Sequence, residues 1–179
     1  MHFVKTKIKE CLIYSFPSSE DKRGKFKKLF SKVLSDQFRK KFQIKEVYMT
    51  LSQKNVIRGM HFQAPPYDQD KLVTCNNGSV LDVFLDIRKG SKTFGQYDSL
   101  QLNHDDNCVL FLPKGIAHGF KSLENDTELL YMVTSDYCSE YDTGILYNSF
   151  GLDWKCQNPI LSERDLNFSH LNEFKTPFL

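Results

Sequence analysis

Between Lys45 and Thr134 the chain is a succession of short β-prone runs separated by turn residues, and this spacing constrains the fold more than any other feature. Val47, Met49 and Leu51 alternate with Tyr48, Thr50 and Ser52, which predicts a strand with a buried apolar face. Further strands are expected over Val56 to Gln63, Lys71 to Cys75, Ser79 to Ile87, Phe94 to Leu102, Cys108 to Leu112, Gly119 to Leu123 and Thr127 to Ser135. Asn77-Gly78 predicts a hairpin turn between two of them. About eight strands with no βα alternation and no internal repeat predict an all-β jelly-roll sandwich or barrel.

A length of 179 residues is that of one domain, expected to span 1–179, and 40% hydrophobic residues suffice for its core. Lys plus Arg number 24 against 22 Asp plus Glu, a net charge of +2, so no overall field steers the molecule to nucleic acid. Cys11, Cys75, Cys108, Cys138 and Cys156 include no CxxC pair, which suggests a reducing, cytoplasmic setting. The apolar stretch Cys11 to Phe16 is too short for a signal peptide, and no run approaches the roughly 20 apolar residues of a membrane span. Leu29, Phe30, Val33, Leu34 and Phe38, within the basic segment Asp21 to Lys45, are spaced like one face of a helix. Its lysines then face water and need no function of their own. After Asn148, the residues Phe150, Leu152, Trp154 and Ile160 predict a tail folded back onto the sheets, with a short capped turn or helix at Leu161 to Asp165.

Two histidines are candidates for chemistry: His61, and His118 in Pro113-Lys114-Gly115-Ile116-Ala117-His118, which resembles the PxGxxH motif of the cupin superfamily. They are expected to face one another in a small barrel. Metal-binding cupins pair the first histidine with a second two residues on, but here Gln63 stands there and Lys71 follows. A fixed ammonium opposes a cation, so no catalytic metal is expected, and no other cofactor is expected either. A histidine can instead take a proton from a carbon next to a carbonyl while lysine and arginine stabilise the enolate oxygen. A phenol on the opposite wall, for which Tyr131 is the candidate, returns a proton to the other face and inverts the centre.

The run Val56-Ile57-Arg58-Gly59-Met60-His61-Phe62-Gln63-Ala64-Pro65-Pro66, then Gln69-Asp70-Lys71-Leu72-Val73, resembles the signature of the dTDP-4-dehydrorhamnose 3,5-epimerase family. So do Gly78 to Val83 with Asp86 to Ser91, and Pro113 to Phe120. The resemblance implies a cupin-type jelly-roll homodimer acting without metal on a nucleotide-linked 4-keto-6-deoxy sugar, for a surface polysaccharide. It implies His61 as base, Asp165 as its orienting carboxylate, Lys71 and Arg58 at the enolate oxygen, Tyr131 as acid and His118 as a polar partner. Asp21-Lys22-Arg23-Gly24-Lys25-Phe26 is similar to the family's DxRGxF element, which implies Arg23 at the diphosphate and Phe26 at the base, reaching in from a neighbouring subunit. Glu46 is expected near the base, and Tyr137 along the pocket.

Where the family has an Asn-rich segment before the arginine, this chain reads Glu46-Val47-Tyr48-Met49-Thr50-Leu51-Ser52. GDP- and CDP-linked sugars therefore stay open beside dTDP. A related ketoisomerase, which moves the carbonyl, is the second reading. A non-catalytic sugar-nucleotide binding module is the third, and it has no use for a base, an acid and an oxyanion partner together.

Overall fold

A computed structural model describes residues 3–16, 18–31, 36 and 42–178. Its strands are β1 (Phe3–Lys5), β2 (Leu12–Ser15), β3 (Ser18–Asp21), β4 (Gly24–Lys27), β5 (Glu46–Ser52), β6 (Ile57–Gln63) and β7 (Lys71–Asn77). They continue as β8 (Ser79–Asp86), β9 (Tyr97–Asn103), β10 (Cys108–Leu112), β11 (Ile116–Ser122), β12 (Thr127–Val133) and β13 (Asp142–Gly144), with one helical turn, α1 (Glu163–Leu166). The first sheet runs β1-β2-β10-β7-β12-β5 and the second β13-β6-β11-β8-β9, while β3 and β4 form a separate hairpin. Every strand pair is antiparallel. Two antiparallel sheets joined by connections that cross between them make the jelly roll that the spacing predicts, of the cupin type that the resemblance implies.

The sheets close on a shared interior. Val73, Leu110, Leu112, Leu129 and Val133 of the first sheet meet Val80, Phe84, Leu102, Ile116 and Phe120 of the second, all of them buried. Val83, Leu85 and Ala117 point to the other face of the second sheet, where Trp154, Ile145 and Phe178 cover them. Because both faces of β8 are packed, Val80, Leu81, Val83, Phe84 and Leu85 of Ser79-Val80-Leu81-Asp82-Val83-Phe84-Leu85-Asp86 are apolar on both sides of the strand. Asp82 belongs to the inward set, between Val80 and Phe84.

The tail is held to that outer face as expected through Phe150, Leu152 and Trp154. Lys121, buried on β11, adds hydrogen bonds from its ammonium to the carbonyls of Trp154 and Lys155. Ile160 differs, because its side chain is exposed and only its backbone bridges to Val56.

Three expectations about local structure are corrected. Asn77-Gly78 makes no hairpin, since β7 pairs with β10 and β12 while β8 pairs with β11 and β9. The turn carries the chain from one sheet to the other, and Gly78 takes φ +72 there, with Thr127 too close for a Cβ. On β5 the apolar residues lie on the outer face, with Val47, Met49 and Leu51 exposed at 57%, 50% and 56%, and Ser52 of the alternate set is buried. An alternating pattern gives the period of a strand, but not which side the interior lies on. The basic segment begins as the β3–β4 hairpin, not as a helix. The stripe positions Val33, Leu34 and Phe38 lie outside the described residues, whereas Leu29 and Phe30 pack against the first sheet's outer face.

Boundaries also shift. β9 starts at Tyr97 after a turn that holds Phe94, and β11 starts at Ile116, which puts His118 within a strand.

Candidate active site

The polar residues that matter are those the jelly roll turns inward. His61 on β6 and His118 on β11 are direct partners in one ladder, so they stand side by side in the second sheet instead of facing across the barrel. Tyr131 on β12 and Lys71 on β7 come from the first sheet. Arg58, His61, Lys71, His118 and Tyr131, with Tyr48 and Thr50, surround an inner cavity of about 80 Å³. It adjoins an outer cavity of about 350 Å³ whose walls include Glu46, His61, Gln63, Gln69, Lys71, Tyr137 and Asp142.

His61 is fixed by a carboxylate far away in sequence. Its Nε2–H donates to Asp165 Oδ1 at 2.8 Å, while Asp165 Oδ2 accepts the N–H of Gly59 at 3.1 Å. Asp165 sits in α1, where Ser162 caps the turn by accepting the Asp165 N–H, so the cap sets the carboxylate's position. Burial raises the Asp165 carboxyl, but the hydrogen bond and charge of His61 and the Gly59 N–H outweigh it and hold the acid below its ordinary value. A carboxylate that accepts at Nε2 leaves Nδ1 of His61 as the lone-pair nitrogen. Phe168 packs edge-on against the imidazole, with ring centroids 5.7 Å apart.

Glycine makes this approach possible. Gly59 has φ +138, and a Cβ there would lie 2.5 Å from Gly119 Cα. The two backbones touch where the β6–β11 register shifts between His118 and Phe120.

A second pair lies deeper, where His118 Nε2 and Asp82 Oδ2 are 2.9 Å apart, both buried. Burial raises the Asp82 carboxyl despite its histidine partner. Among the described residues its Oδ1 has no hydrogen-bond partner. Sequence reasoning passed over Asp82, although a carboxylate in the middle of a largely apolar strand was a signal.

Lys71 is buried and donates to the His61 carbonyl at 3.2 Å. Burial lowers its ammonium to about 8, against the opposing pull of Asp142 and Asp82. The Tyr131 phenol is raised well above 10, by burial first and then by Tyr48 and Asp82. It therefore keeps its proton at neutral pH. Its ring stacks on Tyr48 with centroids 4.8 Å apart and meets His118 edge-on.

The remaining candidates are spread more widely. Arg58 is largely exposed and held by Ser52 Oγ and the Leu51 carbonyl at the rim of the inner cavity. Glu46 accepts the Tyr137 N–H at 2.8 Å, tying the loop after β12 to the start of β5. Arg23 and Phe26 line neither cavity and stand on the exposed β3–β4 hairpin, with Arg23 paired to Asp21. Among the described residues no group of three or more His, Cys, Asp or Glu is placed to share a metal ion. Trp154 is buried in the core, its indole N–H bonded to the Tyr147 carbonyl.

A cavity between the sheets of a cupin-type jelly roll that holds a carboxylate-bound imidazole and a protonated phenol has the groups of an isomerase that works by proton transfer. The chain belongs to the dTDP-4-dehydrorhamnose 3,5-epimerase family, whose model matches residues 5–173. It is 38% identical over 170 residues to the dTDP-4-dehydrorhamnose 3,5-epimerase of Shigella flexneri, covering 93% of this chain and 94% of that one. Among solved structures, dTDP-6-deoxy-D-glucose-3,5-epimerase of Legionella pneumophila in complex with dTDP-4-keto-L-rhamnose superposes with a TM-score of 0.94 at 31% identity, over 99% of this chain and 98% of that one. A 3'-monoepimerase from Streptomyces bikiniensis in complex with dTDP-quinovose is 27% identical with a TM-score of 0.88, over 93% of this chain and 86% of that one. These relatives are epimerases, not ketoisomerases or binding modules.

Proposed function

We propose that this epimerase inverts C3, C5 or both in a nucleoside-diphosphate-linked 4-keto-6-deoxy sugar, with His61 as base and Tyr131 as acid. The observation that carries the reading is their placement: a carboxylate-held imidazole on one sheet and a protonated phenol on the other line a single cavity. His61 Nδ1 takes the proton from the carbon next to the ketone, and the electron pair moves onto the carbonyl oxygen. Lys71, with Arg58 at the rim, stabilises that enolate oxygen, while Asp165 stabilises the imidazolium. Tyr131 then gives its proton to the opposite face, and solvent restores both groups. His118, held by Asp82, binds the sugar's polar groups. No step calls for a metal or other cofactor.

The outer cavity leads away from these groups and suits the diphosphate and base, with Glu46 and Tyr137 on its walls. Arg23 and Phe26 reach such a cavity only in a second copy, which makes the homodimer the working form. The open edge of β5 supports this, because Val47, Met49 and Leu51 form an exposed apolar stripe where a partner could pack. Phe26, 62% exposed on its hairpin, is a further apolar group that a partner would cover.

A cytoplasmic setting, within synthesis of a surface polysaccharide, accords with five free cysteines and with a nucleotide-activated substrate. Among the described residues no helix is long and apolar enough to cross a membrane.

Proton NMR in deuterated water with dTDP-, GDP- and CDP-linked 4-keto-6-deoxy sugars tests the reading. Loss of the C3 or C5 signal with a new diastereomer is the expected result and identifies the nucleotide. Formation of a 3-keto sugar, or binding with no exchange for any nucleotide, overturns it.

A further inference from the structure

Tyr48 lies on β5, and the fold places it against the proposed acid. It is the direct cross-strand partner of Tyr131 in the β5–β12 ladder. The two rings are nearly parallel, with a 14° angle and centroids 4.8 Å apart. His118 also meets Tyr131 edge-on, at 5.7 Å and 70°. A ring held on one face and one edge has little rotamer freedom, so its hydroxyl is aimed at one place.

Tyr48 also stands between the two cavities. It shares with His61 and Lys71 the distinction of lining both. It is 39% exposed, whereas Tyr131 is buried, so the outer ring screens the inner one from water. We propose that Tyr48 is a positioning residue that determines how an enolate formed in this cavity is partitioned. By stacking on Tyr131 it keeps the phenol aimed at the face opposite His61, and so favours inversion over return of the proton by His61. This deepens the epimerase reading and rests on it.

The chemistry supplies a direct readout. In deuterated water the imidazolium that has taken the substrate proton exchanges it for deuterium. Return from His61 gives deuterated substrate of unchanged configuration. Delivery from Tyr131 gives deuterated product, and the phenolate recovers a deuteron from solvent. The ratio of deuterated substrate to product at early times measures the partition, whatever the overall rate.

With the nucleotide sugar that the wild-type enzyme inverts, Tyr48→Ala is expected to raise that ratio by about tenfold or more, while total exchange stays within severalfold of wild type. Tyr48→Phe keeps the stacked face and should stay within about twofold of the wild-type ratio. Tyr48→Leu fills similar apolar space without a ring, and serves if the alanine variant folds poorly. An unchanged ratio in both ring-deleting variants overturns the proposal, as does equal loss of exchange and inversion, which would mark a merely structural or binding role. A wild-type enzyme that neither exchanges nor inverts overturns the epimerase reading, and this proposal with it. Wild-type inversion with a partition unaltered in both ring-deleting variants overturns this proposal alone.

Discussion

The Nε2 of His61 lies 2.8 Å from Oδ1 of Asp165, although 104 residues separate them in the chain. β6 supplies the imidazole and the single turn α1 the carboxylate, with the Gly59 N–H holding the second oxygen. The pair fixes one tautomer and prepares the ring to accept charge.

Asp165→Asn should therefore slow hydrogen abstraction by about a hundredfold or more, because a neutral amide neither stabilises the imidazolium nor enforces the tautomer. Deuterium exchange measured at saturating substrate reads this step. The folded Asp165 titrates below its ordinary value of 3.8, so the stabilisation it contributes is fully present above pH 3.8 and is lost as pH falls through the folded value. The asparagine variant should show less of that acid dependence in chemical denaturation.

His61→Ala should abolish exchange at C3 and C5 alike. Tyr131→Phe should preserve exchange but impair inversion at one or both centres, since the phenylalanine ring retains the stack and loses the proton. Full inversion by the His61 variant would remove it from the role of base.

Lys71 should impose opposite pH trends on activity and stability. With its ammonium proposed to stabilise the enolate oxygen, turnover should fall as pH rises through about 8. The unfolded chain binds that proton more tightly, with a value of 10.5, so folding stability should rise over the same interval up to about 10.5. Lys71→Met should remove this pH dependence of stability and lower turnover most below about pH 8, where the wild-type ammonium is charged; rate profiles and denaturation curves check both.

The exposed stripe on β5 predicts the effect of charge there. Met49→Lys combined with Leu51→Lys should convert a dimer to monomers in sedimentation and reduce activity, because Arg23 and Phe26 would no longer reach a partner's cavity. A double variant that stays dimeric would place the interface elsewhere.

Gly59→Ala should destabilise the protein by more than about 2 kcal/mol, since a Cβ at φ +138 would press on Gly119 Cα. Thermal denaturation measures it.

Strand period, turn chemistry and ordered motifs were enough to predict an all-β jelly roll of this family from the chain alone. Local residue order carries these properties: alternation sets the pleat, and glycine or asparagine marks where the backbone must turn. Such order does not say which side of a strand meets the interior. Val47, Met49 and Leu51 therefore read as core and stand on the surface, and Asn77-Gly78 read as a hairpin and joins two sheets. Nor does it pair side chains distant in sequence. The contacts of Asp82 with His118, Tyr48 with Tyr131 and Asp165 with His61 exist because sheet packing and register bring separate segments to one cavity. Hydrogen-bond geometry and proton affinity depend on those few ångströms and on the water excluded around them, and only the tertiary structure decides either.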